Sequence, residues 1–321
     1  MNIQRRTLVR GAALCALLPA TQIARAQEWP SRPLRIVHGY DSGSNPDTFS
    51  RLLTPGLAER LAQQVIVEPK PGAAGRIAAK YVASQAGDGY TLLMLTAGDA
   101  VVAALDPKVP FKLLQDFSFV SSVVEFPFLL CVAAGSHLKS LPDLLALAKS
   151  RPGQVTYGTP GVGTTQSMAG ELLQQMAGVD MQHVPYKGNA LTDLLGGRVD
   201  FLIAAPSVVT SLIKGGKVRA IGVTSKDPHP GLPDVMPVRR VVPDYEVNSW
   251  LGLAVPKSTP DAVVQRLSST VQAVTATDSV RSAITLAGSV VAASNSEGFR
   301  ARVETDIRKW SALSGRVRIE S

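Results

Sequence analysis

The sequence is poor in cysteine, histidine and aromatic side chains, and each shortage removes a class of function. It holds two cysteines, Cys15 and Cys131, and four histidines in 321 residues. Cys15 falls in a leader described below, so the processed chain keeps one cysteine and no intramolecular disulfide. Cys131 sits in the apolar run 128–133, where a buried small hydrophobe is expected rather than a reactive thiol. Paired cysteines and a His-Glu-x-x-His motif are missing. His38, His137, His183 and His229 stand apart from one another, so no metal site can be read from the spacing. His38 and His183 fall at strand ends, within reach of a ligand, but a structural or solvated role fits each better. The Gly-x-Ser-x-Gly elbow of serine hydrolases is missing as well. Aromatic residues make up 5% of the chain, and no Lys/Arg cluster interleaves with them as a nucleic-acid surface would need. Beyond the leader, no apolar run is long enough for a membrane helix.

What is present begins with an address. Arg5, Arg6 and Arg10 precede the apolar stretch 11–20, and Ala24-Arg25-Ala26 supplies a small-x-small cleavage pattern. Residues 1–26 therefore read as a cleaved signal peptide, and the mature protein is expected in the periplasm from about Gln27. Residues 4–9 also suit a twin-arginine signal, which leaves that route and the general secretory route open. Cys15 is no lipoprotein cysteine, because Leu14 before it is not small. The leader carries four arginines and no acid, so the net charge of +8 falls to +4 in the mature protein. Some 295 mature residues exceed one typical core and imply two domains.

Short apolar runs alternate with amphipathic helices. Strands are expected at 34–37, 65–67, 90–96, 155–157, 201–203 and 218–223. Helices are expected after Pro46 and over 76–85, 140–150, 165–177, 208–214 and 297–314. Asn45 followed by Pro46 suits an N-cap with proline at the first helical position. Gly178 suits a C-cap. In the last helix Phe299, Val303, Ile307, Trp310 and Leu313 share one face as core anchors. Repeated strand–helix–strand order implies an α/β fold with parallel sheets covered on both faces. No low-complexity linker divides the chain, so it is expected to pass between two lobes more than once. Passages near 122–125 and 223–226 would place 27–123 and 226–321 in the first lobe and 124–225 in the second.

Residues 158–165 invite two nucleotide readings and fit neither. Thr164 stands where a P-loop needs lysine, and Gln166 stands where a dinucleotide fingerprint needs its third glycine. Two glycine-rich loops, 39–47 and 158–165, instead each join a strand to a helix start. Such a loop exposes backbone N–H groups, and the helix behind it adds partial positive charge. One loop per lobe, facing across a cleft at the carboxyl ends of the strands, would grip a small anion from both sides. No cofactor or metal is implied.

Further along the chain come Trp29-Pro30-Ser31-Arg32-Pro33, then the runs 65–75 (Val-Ile-Val-Glu-Pro-Lys-Pro-Gly-Ala-Ala-Gly) and 88–93 (Asp-Gly-Tyr-Thr-Leu-Leu). Ala169-Gly170-Glu171-Leu172, the run 183–188 (His-Val-Pro-Tyr-Lys-Gly), the run 215–220 and Ser249-Trp250-Leu251-Gly252-Leu253 follow. In this order the motifs resemble the solute receptors of tripartite tricarboxylate transporters, also called Bug receptors, from about Trp29 to the C-terminus. The resemblance implies the type II periplasmic-binding-protein fold: two Rossmann-like lobes with a ligand cleft between them, closing like a hinge. It implies a ligand among di- and tricarboxylates, amino acids such as aspartate, aromatic carboxylates and nicotinate-like compounds. It also implies a pair of inner-membrane transporter subunits as partners. A monomer that binds rather than converts is expected. A sensory receptor feeding a membrane sensor protein is the alternative, and a periplasmic hydrolase a distant third.

The family's two gripping loops map here to 40–47 and 159–166. The first usually reads aromatic-Pro-Pro-Gly-Gly-x-x-Asp. Here it reads Tyr40-Asp41-Ser42-Gly43-Ser44-Asn45-Pro46-Asp47, without both prolines and the second glycine. Asp41 would favour a neutral hydroxyl or amide group on the ligand, or else point to solvent while Ser42 replaces lost backbone contacts. The strand end Ile203-Ala204-Ala205-Pro206 lacks the acid that serves ligand amino groups, which points away from an amino-acid ligand. In this reading Tyr40 walls the cleft, and the backbone of Ser42 and Gly43 holds one end of the ligand. Thr96 and Ala97 line the same lobe. Gly163, Thr164 and Thr165 hold the carboxylate from the other lobe. Tyr186, Ala204 and Ala205 complete the far wall, and Asp47 caps or orients its loop.

Overall fold

The computed structural model describes residues 29–186 and 190–314. The leader expected over 1–26 lies outside the described residues. The chain opens with β1 (Leu34–His38), α1 (Asn45–Leu61), β2 (Val65–Pro69), α2 (Arg76–Ala83), β3 (Thr91–Thr96) and α3 (Ala97–Leu105). A short α4 (Leu113–Asp116) leads into the long strand β4 (Phe117–Pro127). A second unit follows with β5 (Leu129–Ala133), α5 (Leu141–Ser150), β6 (Thr156–Thr159), α6 (Thr165–Ala177) and β7 (Gln182–Pro185). It continues with α7 (Leu191–Leu195), β8 (Phe201–Ala204), α8 (Pro206–Lys214) and β9 (Val218–Val223). The chain returns through β10 (Asn248–Pro256), α9 (Asp261–Thr275), α10 (Asp278–Leu286), β11 (Val290–Val291) and α11 (Ser296–Ala312).

The two sheets have the orders β11-β4-β10-β3-β1-β2 and β7-β6-β8-β5-β9. Both are mixed, which corrects the expectation of parallel sheets. In the first, β10 runs antiparallel to β3 and β4; in the second, β5 runs antiparallel to β8 and β9. The cause is the connectivity. β5 and β10 are the strands that have just arrived from the other lobe, so each enters its sheet from the far end. The parallel pairs β1–β2, β1–β3, β6–β7 and β6–β8 carry the strand–helix–strand pattern that the sequence shows. Both faces of the first sheet are covered. Leu92 and Met94 of β3 join one apolar cluster while Leu93 and Leu95 join another, and all six β3 residues are buried. A strand buried on both sides needs no polar face, and so it reads as an unbroken apolar run.

The passages between lobes lie beside each other. β4 stays paired with β10 through Pro127, so the first passage falls at Phe128 rather than near 122–125. The second lobe's last strand ends at Val223, and the segment to β10 packs along it, with Val223 bridging to Pro237. Thr224 ties the crossing together. Its hydroxyl accepts from Phe128 N–H at 2.7 Å and donates to the Val247 carbonyl at 2.6 Å. Its backbone N–H donates to the Phe128 carbonyl, and Val247 N–H donates to the Thr224 carbonyl. All three residues are buried. In α11, Phe299, Val303 and Trp310 are buried, while Ile307 and Leu313 are half-buried.

Candidate functional site

A cavity of about 30 Å³ lies between the lobes. Tyr40, Asn45, Pro46, Thr96 and Gly98 wall it from the loops after β1 and β3. Phe126 of β4 and Ser249 and Leu251 of β10 form its floor, and Thr165 and Gln166 of α6 close it from the second lobe. None of these side chains is charged. The lobes are in contact at its edge, because a methyl group at Gly98 would lie 3.5 Å from the Thr164 Cα.

Three helices start at this cavity. The N-cap of α6 is Thr164, whose hydroxyl accepts from Ser167 N–H at 3.2 Å and donates to the Gly161 carbonyl at 2.8 Å. The first two N–H groups of α6, on Thr165 and Gln166, have no carbonyl inside the helix to bond. Both residues line the cavity. The N-cap of α3 is Thr96, which donates its N–H at 2.8 Å and its hydroxyl at 2.9 Å to Asp99. Gly98 is the second residue of α3. The N-cap of α1 is Ser44 rather than Asn45, so Asn45 and Pro46 are its first two residues. Proline is tolerated there because its missing N–H would have no intrahelical partner. Convergent helix N-termini favour negative charge at the point they share.

Two buried acids shape the first-lobe wall in opposite ways. Asp47 accepts from Gly43 N–H at 2.9 Å, from Arg51 Nε at 3.0 Å, and pairs with His38 Nε2 at 3.1 Å. Burial opposes its charge, but Arg51, the Gly43 N–H and His38 together hold its carboxyl below the usual range. Asp47 therefore orients the loop from within. Burial pushes the Asp99 carboxyl up to about 6, against the two hydrogen bonds from Thr96. Burial, with Asp99 nearby, also raises the Tyr40 hydroxyl, which donates to the Ala74 carbonyl at 3.3 Å. Tyr40 thus stays neutral.

Of the residues expected at the site, Tyr40, Thr96 and Thr165 line the cavity. Ser42 and Gly43 are exposed, and the Gly43 N–H is taken by Asp47. Asp41 is exposed too. Ala97 is packed in the core beside Gly98. Gly163 N–H donates to Ser167 Oγ at 3.1 Å, and Thr164 caps its own helix. Tyr186 donates to Asp193 at 3.1 Å, Ala204 ends β8, and Ala205 is the buried N-cap of α8. The small size of Gly39 serves packing, because a methyl group there would meet the Gly75 Cα at 2.2 Å. His38 is buried on Asp47, and His183 stacks on Tyr157 at 4.9 Å and hydrogen-bonds Thr159 at 2.7 Å. Cys131 is buried, which pushes its thiol up and leaves it unreactive. Among the described residues no group of three His, Cys, Asp or Glu side chains could hold a metal. Phe126, Ser249 and Leu251 were not expected; the one signal for the last two was the motif 249–253.

Two α/β lobes, joined by paired passages with a cavity at helix starts between them, define a solute-binding receptor. The chain belongs to the tripartite tricarboxylate transporter family of receptors, whose profile matches residues 49–317. Over its full length it is 33% identical to the UPF0065 protein encoded between tcbD and tcbE in Pseudomonas sp. strain P51, covering 96% of that relative. An R. palustris protein solved with adipate has a TM-score of 0.86 and 30% identity, covering 90% of this chain and 98% of that one. MatC from Rhodopseudomonas palustris, solved with malate, has a TM-score of 0.84 and 28% identity, covering 89% and 100%.

Proposed function

We propose that this receptor captures a small organic acid in the periplasm, after removal of residues 1–26, and delivers it to the membrane subunits of a tripartite transporter. One observation carries the reading: the starts of α1, α3 and α6 converge on an uncharged cavity between the lobes. With no cation in the wall, the N–H groups of Thr165 and Gln166 are the donors suited to a carboxylate, strengthened by the α6 dipole. The acids bound by the two related proteins are compatible with that chemistry.

A thermal-shift screen of organic acids tests the reading. A ligand that binds only the folded state adds about 2.7 kcal/mol at a hundredfold excess over Kd. At least one acid is expected to raise Tm, and Thr165→Pro, which removes the N–H at the first position of α6 where proline is tolerated, is expected to weaken that hit. A screen of mono-, di- and tricarboxylates that leaves Tm unmoved would count against an acid ligand.

A further inference from the structure

Asn45 is 6% exposed, opens α1 and lines the cavity. Its Oδ1 accepts a hydrogen bond from the hydroxyl of Ser207, in the first turn of α8 on the opposite lobe. Its Nδ2 is buried and has no hydrogen-bond partner among the described residues. An amide nitrogen carries two donors, and burying both unpaired is unfavourable. Phe126 and Leu251 beside it are apolar, and none of the polar residues that line the cavity hydrogen-bonds to it. Because Ser207 fixes the amide by its oxygen end, the NH₂ is the end left for a ligand.

Resting on the functional reading above, we infer that Asn45 sets ligand specificity by donating from Nδ2 to a second oxygen of the acid. The first carboxylate sits on the α6 N–H groups of Thr165 and Gln166. A hydroxyl, carbonyl or second carboxylate then meets Asn45 across the cavity. The ligand class is an acid with a second oxygen function, a hydroxy acid or a dicarboxylate. An acid whose remainder is pure hydrocarbon leaves Nδ2 unpaired and is rejected, because a site built to bond an oxygen discriminates against the analogue lacking it. The same amide is anchored to the far lobe through Ser207, so the oxygen is read only when the lobes are closed.

Isothermal titration of malate, succinate and butyrate, which share a four-carbon chain, tests this. The wild type is expected to prefer malate or succinate over butyrate by tenfold or more. Asn45→Asp keeps the shape and the acceptor for Ser207 but removes the Nδ2 donors, and an acid suits a helix start. In it, and in Asn45→Ala, that preference is expected to fall to within about threefold. The unliganded Tm of each variant shows that it folds. If the wild type binds malate or succinate preferentially and both variants keep the same preference, the role of Asn45 is overturned while the functional reading stands. If the wild type binds butyrate as well as malate and succinate, the inference fails alone. If it binds no acid in a wider screen, the functional reading fails and this one with it.

Discussion

Replacing Asp99 with asparagine isolates one titration from the rest of the protein. Asp99 is buried at the start of α3, and burial lifts its carboxyl from the ordinary 3.8 to about 6. In between, the folded state holds a proton that the unfolded chain has released. Stability from this group is therefore fully present below 3.8 and is lost as pH rises through about 6. At about 1.4 kcal/mol for each pH unit between the two values, the loss is about 3 kcal/mol. His38 works in the opposite sense. Burial holds it neutral below its ordinary 6.5 despite Asp47, so its contribution is lost as pH falls. Asp47, held below 3.8, loses its contribution only at still lower pH. The raw pH profile of the wild type thus mixes opposing slopes, and the informative quantity is its difference from Asp99→Asn. The amide keeps an acceptor for the two hydrogen bonds from Thr96 and has no charge to desolvate. Urea denaturation at several pH values between 4 and 7 measures both proteins. The stability of the wild type relative to the variant is expected to fall by about 2–3 kcal/mol across that range. A difference that is flat, or that rises with pH, would refute the assignment of a protonated Asp99 beneath the cavity.

Two stability predictions follow from packing and from the passage between lobes. In Gly170→Ala the new methyl would lie 2.3 Å from the Tyr157 ring. That ring is held between His183 and Phe201, and its hydroxyl donates to Glu171, so it cannot swing aside. A loss of about 1–3 kcal/mol is expected in urea melts, and wild-type stability would show that the ring has room to move. Thr224→Val leaves the Phe128 N–H and the Val247 carbonyl buried without the hydroxyl they share. Each orphaned group costs about 1–3 kcal/mol, so calorimetry should find a clearly lowered Tm; an unchanged Tm would mean that the crossing rearranges to satisfy them.

Local signals explain which parts of the fold were legible. Helix α6 runs from Thr165 to Ala177 and ends at a left-handed Gly178, as its capping residues imply. Strand β9 spans Val218–Val223 as expected. Both depend on residues within a turn or two of each other. The long strands β4 and β10 were not expected. Ser118, Ser121, Ser122 and Glu125 interrupt β4, and Asn248, Ser249 and Gly252 interrupt β10, so neither shows a continuous apolar run or a strict alternation. The same limit applied to the loop 40–47. A flexible glycine loop at a helix start suggested free N–H groups at Ser42 and Gly43, but Asp47, four residues on, takes the Gly43 N–H and leaves the loop tip in solvent.

Taken alone, the chain determined its α/β alternation, its family motifs and the two strand–loop–helix turns that supply helix N-termini. These are set by side-chain type and by spacing along a few residues. Only the tertiary structure decided that β5 and β10 reverse direction on arriving from the other lobe. Only it brought Phe126, Ser249 and Leu251 under a cavity whose upper walls come from Asn45 and Gln166. The orphaned Nδ2 of Asn45 is the clearest case. Whether an amide is satisfied depends on what the opposite lobe places against it, and Ser207 lies 162 residues away in sequence.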